Sequence, residues 1–232
     1  MEIKRYGEKE FLSADKLYIR ENEIHIWCIR WPEMTDFWKN HEYILSGQEL
    51  EQAGRFRFPE DRMRYIAGKV VVRILLKRYL DMETIDFSVN ELGKPYHKEI
   101  AGKQTVNFNI SHSGEFILEG FAVGMDIGVD VQEMAGCPDY REIAGNFYTA
   151  EEAEDVINEG PELFFQYWAA KEAYVKAIGI GLGRGMDFFS VRNGEITEKG
   201  RKGQGWHLHP VKIEGYAAYV AAHKKGDKSN EL

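Results

Sequence analysis

The sequence predicts an α+β protein made of two similar α/β halves. Three observations lead there. Short apolar runs with a period of two, punctuated by glycine, read as strands. Longer runs with apolar residues every three or four positions read as helices. The helix–strand–strand order of residues 60–123 recurs in residues 150–223, and Ala67-Gly68-Lys69 in the first long helix is echoed by Ala169-Ala170-Lys171 in the second. The chain of 232 residues suits one large domain or two small ones. The halves are expected to meet near Gly124, as residues 1–124 and 125–232.

Each element has its own justification. Ile24-His25-Ile26-Trp27-Cys28-Ile29 alternates in part and predicts a strand. Asp61 to Tyr79 predicts a helix, with Ile66, Val70 and Ile74 on one stripe and Pro59 at its start. Val106-Asn107-Phe108-Asn109-Ile110-Ser111 alternates strictly, so Val106, Phe108 and Ile110 face a core while Asn107, Asn109 and Ser111 face the other side. Phe116–Val123 and Met125–Gln132 are two apolar strands around Gly124. Thr149-Ala150-Glu151-Glu152 matches a capping box that opens a helix, and a second helix runs from about Pro161 to Ile178. Strands are expected at Phe188–Arg192, Trp206–Ile213 and Tyr216–His223, with turns at Asn193-Gly194 and Glu214-Gly215. The polar tail Lys224–Leu232 is expected to fray.

Composition narrows the function. Hydrophobic residues are 44% and charged residues 29%, as in soluble globular chains. A formal charge of −8 argues against a general nucleic-acid binder. No apolar run reaches the ~18 residues of a membrane span, and the start lacks the apolar core of a signal peptide. Cys28 and Cys137 lie far apart, which leaves no disulfide scaffold or thiolate zinc site. A cytoplasmic, soluble protein is expected, with no nucleic-acid or membrane partner.

Three constellations carry chemistry. Residues 55–78 hold eight cations (Arg55, Arg57, Arg62, Arg64, Lys69, Arg73, Lys77, Arg78) against Glu60 and Asp61. That pattern fits either a helix face paired with acids elsewhere or a site for a compact polyanion. In Met125–Gln132, Asp126, Gly128, Asp130 and Gln132 share one strand face. Neighbours on that face are ~6.5–7 Å apart, so Asp130 and Gln132 can approach one hard cation such as Mg²⁺, although a wet edge strand fits equally. In the helix Phe164–Lys176, Trp168, Glu172 and Lys176 are four apart. Glu172 there is either half of a surface ion pair or a partly buried ligand or base. Gly179, Gly181, Gly183 and Gly185 follow a helix and read as a helix stop and loop, not a dinucleotide fingerprint. His112 ends a strand between Ser111 and Ser113, without the turn that a serine nucleophile needs.

Taken in order, Gly93-Lys94-Pro95, Phe108-Asn109-Ile110-Ser111-His112-Ser113, Gly128-Val129-Asp130-Val131 and Trp168-Ala169-Ala170-Lys171-Glu172-Ala173-Tyr174-Val175-Lys176 resemble the 4′-phosphopantetheinyl transferases. Length and the two halves resemble the monomeric, pseudo-dimeric Sfp-like class, not the half-length, trimeric holo-acyl-carrier-protein synthases, and this resemblance implies that the two α/β halves are related by pseudo-twofold symmetry. The resemblance covers roughly residues 55–191. It implies transfer of the phosphopantetheine arm of coenzyme A to a serine of an apo acyl or peptidyl carrier protein, with Mg²⁺ and release of adenosine 3′,5′-bisphosphate. It also implies a metal site of Asp130, Gln132 and Glu172, with Glu172 as base. Lys176 would neutralise the pyrophosphate or protonate the leaving phosphate; His112 and Arg64 would contact phosphates; Lys94, Pro95 and Ser111 would line the nucleotide site. Many members have Glu at the position of Gln132, and some carry lysines where this chain reads Glu49-Leu50-Glu51-Gln52. Arg55, Arg57 and Arg64 would then supply more of the phosphate contacts, and Asp126 could assist the metal. Two alternatives remain: a non-catalytic module that binds coenzyme A or another nucleotide, and a different Mg²⁺-dependent phosphotransferase. The missing GxxxxGK[ST] loop weakens the second.

Overall fold

In the computed structural model, residues 1–89, 94–97, 105–181, 185–198, 200–203 and 205–224 are described. Gly93, Gly183 and the tail 225–232, named above, lie outside them. The chain opens with β1 (Glu2–Tyr6), α1 (Glu8–Ser13), β2 (Glu23–Arg30), α2 (Thr35–Asn40), α3 (Gly47–Gly54) and the long α4 (Pro59–Leu80). A small antiparallel pair follows, β3 (Phe87–Val89) and β4 (Pro95–His97), then β5 (Val106–Ser113) and β6 (Phe116–Val123). Beyond Gly124 come β7 (Met125–Glu133), α5 (Tyr140–Phe147), α6 (Ala150–Glu159), α7 (Pro161–Ile178), the short β8 (Phe189–Ser190), β9 (Thr197–Glu198) and β10 (Arg201–Lys202), then β11 (Trp206–Pro210) and β12 (Tyr216–Lys224).

These elements stack in four layers. α4 covers one face of a sheet ordered β1-β2-β6-β5, with Ile66, Val70 and Leu75 against Trp27, Phe108 and Phe121. The sheet's other face buries Ile24, Ile26, Leu118 and Ala122 against Ile127, Val129, Val131 and Val220 of a second sheet, ordered β11-β12-β7. α7 covers the outer face of that second sheet. β6 and β7 read from sequence as consecutive apolar strands, yet they form no hairpin. β6 pairs with β2 and β5, β7 pairs with β12, and Gly124, at φ +66°, turns the chain from one sheet to the other.

A line of side chains joins β5 to β7. Asn107 Nδ2 donates to the Met125 carbonyl (2.7 Å) and Asn109 Oδ1 accepts from the Val129 amide (2.9 Å). Ser111 Oγ accepts from the Val131 amide (3.3 Å), and Ser113 Oγ from the Glu133 amide (2.9 Å). The polar face of the alternating strand therefore replaces a backbone ladder, and it satisfies amides that burial would otherwise orphan. On the opposite side of β7, Gly128 lets α7 approach closely, since a Cβ there would overlap the backbone of Ala173 and Ala177.

The capping-box prediction holds, with a consequence beyond the cap. The side chain of Thr149 accepts from the Glu152 amide, and Glu152 reaches back to the Thr149 amide. Glu152 also pairs with Lys171 of α7 at 2.7 Å, both side chains wholly buried, and accepts from the Val191 amide (2.7 Å). Lys171 donates further to the carbonyls of Met186 and Phe189. Such a pair survives burial only because its remaining hydrogen bonds are made. The lysine next to Glu172 is thus a pin that anchors residues 186–191 to α7.

Two expected strands are shorter than predicted. Phe188–Arg192 contains only Phe189–Ser190, because the chain turns through a 3₁₀ segment with Asn193 at φ +57°. The strand expected at Trp206–Ile213 stops at Pro210, although the Val211 amide still donates to the Ala218 carbonyl (2.8 Å) and Ile213 bridges to Tyr216. Among the described residues, no helix is long and apolar enough to cross a membrane. Asn109→Ala removes the acceptor of a buried amide and is expected to cost about 1–3 kcal/mol of stability, read as a lower urea midpoint; an unchanged midpoint would mean that the β5–β7 bonds carry no stability.

Candidate active site

The seam between the sheets opens into a cleft. α4 supplies Tyr65, Gly68 and Lys69; β4 supplies Pro95; and β5 supplies Asn109, Ile110, Ser111 and His112. Across from them stand Asp130, Val131 and Gln132 of β7, with Trp168, Glu172 and Lys176 of α7. The period-two face of β7 and the period-four stripe of α7 thus meet in one cavity of about 460 Å³, a size suited to a small-molecule ligand.

Polar groups at the floor are unevenly satisfied. Asp130 Oδ1 accepts from Ser111 Oγ (2.7 Å) and from Lys176 Nζ (2.5 Å), while Lys176 also donates to Ser111 Oγ (3.0 Å). Asp130 Oδ2 and Glu172 Oε1 are buried and, among the described residues, have no hydrogen-bond partner. Burial raises the Asp130 carboxyl against the pull of Lys176 and Ser111. Burial, then the neighbouring Asp130 charge, pushes Glu172 up to about 7, with Lys176 opposing. Two unsatisfied carboxylate oxygens in one cleft, with the amide of Gln132 on the same wall, form a hard-oxygen donor set that suits a divalent cation such as Mg²⁺. Among the described residues, no group of three His, Cys, Asp or Glu forms a metal cluster, so a site here rests on two carboxylates and the neutral Gln132.

His112 lies at the rim, exposed to solvent, whereas its neighbour Ser111 is buried. Surrounding protein, then the charges of Arg64, Lys176 and Lys69, lower its imidazole to about 4. At this exposed position the charge effect is the part that a bound anion would reverse. Arg64 itself stands behind the rim. It donates to the Gly114 carbonyl (3.1 Å) and pairs with Asp61.

Several predicted contacts are placed elsewhere. Lys94 lines a neighbouring cavity, where its ammonium donates to the carbonyls of Lys176 (2.6 Å), Ala177 (3.1 Å) and Ile127 (3.3 Å). It therefore closes the end of α7 onto β7. Pro95 borders both cavities, and Asp126 lines the Lys94 cavity rather than the metal candidate's cleft. Much of the basic cluster is neutralised locally: Arg55 by Glu51 (2.7 Å), Arg62 by Glu42 (3.1 Å) and Arg73 by Glu49 (2.6 Å). Arg78 donates to the Phe11 carbonyl (2.5 Å). Arg57 lies over the ring of Phe58. Arg55 and Arg57 do not line the cleft. Lys69 does, although its sequence signals were only a place among eight cations and the Ala67-Gly68-Lys69 echo of the second long helix.

Comparison with known proteins agrees with this geometry. Residues 29–120 match a family model described as 4′-phosphopantetheinyl transferase, N-terminal, and residues 126–222 match the 4′-phosphopantetheinyl transferase superfamily. The 4′-phosphopantetheinyl transferase HetI of Nostoc is 31% identical over 175 residues, 72% of this chain and 73% of HetI. The 4′-phosphopantetheinyl transferase Sfp of Bacillus subtilis is 34% identical over 155 residues, 64% of this chain and 66% of Sfp. The Synechocystis protein slr0495 is 34% identical over 155 residues, 63% of this chain and 62% of slr0495. The match thus spans just under two thirds of the length of slr0495 and Sfp. On these matches, the chain belongs to the 4′-phosphopantetheinyl transferase family.

Proposed function

We propose that this protein transfers the 4′-phosphopantetheine arm of coenzyme A to a serine of an apo acyl or peptidyl carrier protein, with release of adenosine 3′,5′-bisphosphate. It would work as a cytoplasmic monomer whose halves, 1–124 and 125–232, enclose the cleft. One observation carries the reading: in a chain of this family, Asp130 and Glu172, each with a buried oxygen that has no partner among the described residues, line one cleft with Lys176 and His112. Asp130 and Glu172, with Gln132, would hold Mg²⁺. When bound, Mg²⁺ would offset the charge of the pyrophosphate as the phosphorus–oxygen bond breaks.

The chain's own groups do the rest. Glu172 lines the same cleft and would accept the proton of the carrier serine, directly or through water. The serine oxygen forms a bond to the phosphorus that bears pantetheine, and the bond from that phosphorus to the nucleotide's bridging oxygen breaks. Lys176, now on Asp130 and Ser111, is within the same cleft and would neutralise the leaving phosphate or give it a proton. His112 at the rim, with the charge of Arg64 behind it, would meet a further phosphate. Ser111 and Pro95 would line the nucleotide; Lys94 supports that wall through its three carbonyl contacts.

Incubation with coenzyme A, Mg²⁺ and a panel of apo carriers is expected to add one phosphopantetheine mass to a carrier. Asp130→Asn and Glu172→Gln are expected to abolish that mass shift while their circular dichroism stays native. A folded wild type that modifies no carrier, and binds coenzyme A with no Mg²⁺ dependence, would favour the binding module.

The pH dependence has a definite sign. The folded Glu172 pKa lies above its ordinary value, so its contribution to metal-free stability is full below about 4.5 and is lost as pH rises through about 7. Mg²⁺ competes with the proton. The Mg²⁺-induced rise in melting temperature is therefore expected to be large at pH 8 and to shrink as pH falls through about 7; a rise independent of pH over that interval would contradict Glu172 as ligand. Gln132→Glu adds a charged ligand and is expected to tighten Mg²⁺ binding on the order of tenfold by calorimetry; unchanged affinity would remove residue 132 from the site.

A further inference from the structure

Among the described residues, Lys69 is a cation at the cleft without a counter-ion. Its side chain is half-buried, its ammonium lies 5.6 Å from the ring centroid of Tyr65, and among the described residues no carboxylate is within ion-pair distance. The acids around it are occupied or hard to ionise. Glu49 is held by Arg73 at 2.6 Å and by Ser46. Glu119, on the β6 face beneath α4, is wholly buried with neither oxygen hydrogen-bonded, and burial raises its carboxyl well above the usual range, with Lys69 opposing. Asp130 on the facing wall is already paired with Lys176. Desolvation of an unpaired ammonium is unfavourable, and burial lowers the Lys69 pKa accordingly. An anion entering the cleft would remove that penalty.

Resting on the transferase reading above, we infer that Lys69 is a substrate-binding residue that contacts the pyrophosphate of coenzyme A from the N-terminal half, opposite Asp130, Glu172 and Lys176. The pyrophosphate, rather than the 3′-phosphate, follows from position: Lys69 lines the same cavity as the candidate metal donors, whereas Arg64 does not line it and is held by the Gly114 carbonyl and Asp61. Lys69 thus takes up the phosphate contact that Arg55 and Arg57 do not reach.

The test is calorimetric titration of the Mg²⁺-supplemented full chain with coenzyme A and, separately, with 3′-dephospho-coenzyme A. Lys69→Met is expected to weaken both about tenfold, the loss of one charge-assisted contact, and Lys69→Arg to restore most of the affinity. Lys69→Gln, with a polar end at the cleft, serves if the methionine variant does not fold. A loss confined to coenzyme A would move the contact to the 3′-phosphate and overturn the inference, as would equal affinities of wild type and both neutral variants. A wild type that binds neither ligand would overturn the transferase reading beneath it.

Discussion

Two neighbouring edge strands, β5 and β7, are joined by side chains instead of a backbone ladder, and the site depends on that join. Every second residue of β5 from Asn107 to Ser113 bonds the backbone of β7. The register of one sheet on the other is fixed by hydrogen bonds that only those side chains can make. Ser111 then serves both structure and site. A hydroxyl has one proton to give and two lone pairs. It gives the proton to Asp130 and accepts from the Val131 amide and from Lys176. The join between sheets and the geometry of the reactive carboxylate are one network.

The electrostatic cost of the site follows from this placement. Two carboxylates share a cleft with Lys176, which engages one oxygen of Asp130 and leaves Glu172 Oε1 unsatisfied. Burial, and then the charge of Asp130 beside it, disfavours an ionised Glu172 unless a cation enters, which is why its carboxyl rises to about 7. Close approach of α7 at Gly128 holds the two acids in this arrangement, so the helix cannot relax away without opening the packing against β7.

Legibility from sequence tracked the range of the interaction. Period-two alternation in β7 and the period-four stripe in α7 are local, and they pointed to Asp130, Gln132, Glu172 and Lys176, whereas Ser111 and His112 came from the family resemblance; all six line the cleft. The strand Glu2–Tyr6 escaped notice because its residues are largely polar and its order comes from parallel pairing with β2. The role of Lys94 depends on carbonyls more than thirty and eighty positions away, which no spacing reveals. The basic cluster was ambiguous for the same reason. Its acids lie on α3 and in the segment before it, and only the folded arrangement separates neutralised arginines from the one lysine turned to the cleft.

The central claim is that Asp130 and Glu172 share one divalent cation. Its most direct test is a crystal grown with Mn²⁺ and coenzyme A, with diffraction collected at the manganese absorption edge. An anomalous peak within coordination distance of Asp130 and Glu172, in contact with the pyrophosphate, is the predicted result. A peak bound to neither carboxylate, or bound coenzyme A with no anomalous peak in the cleft, would contradict the account.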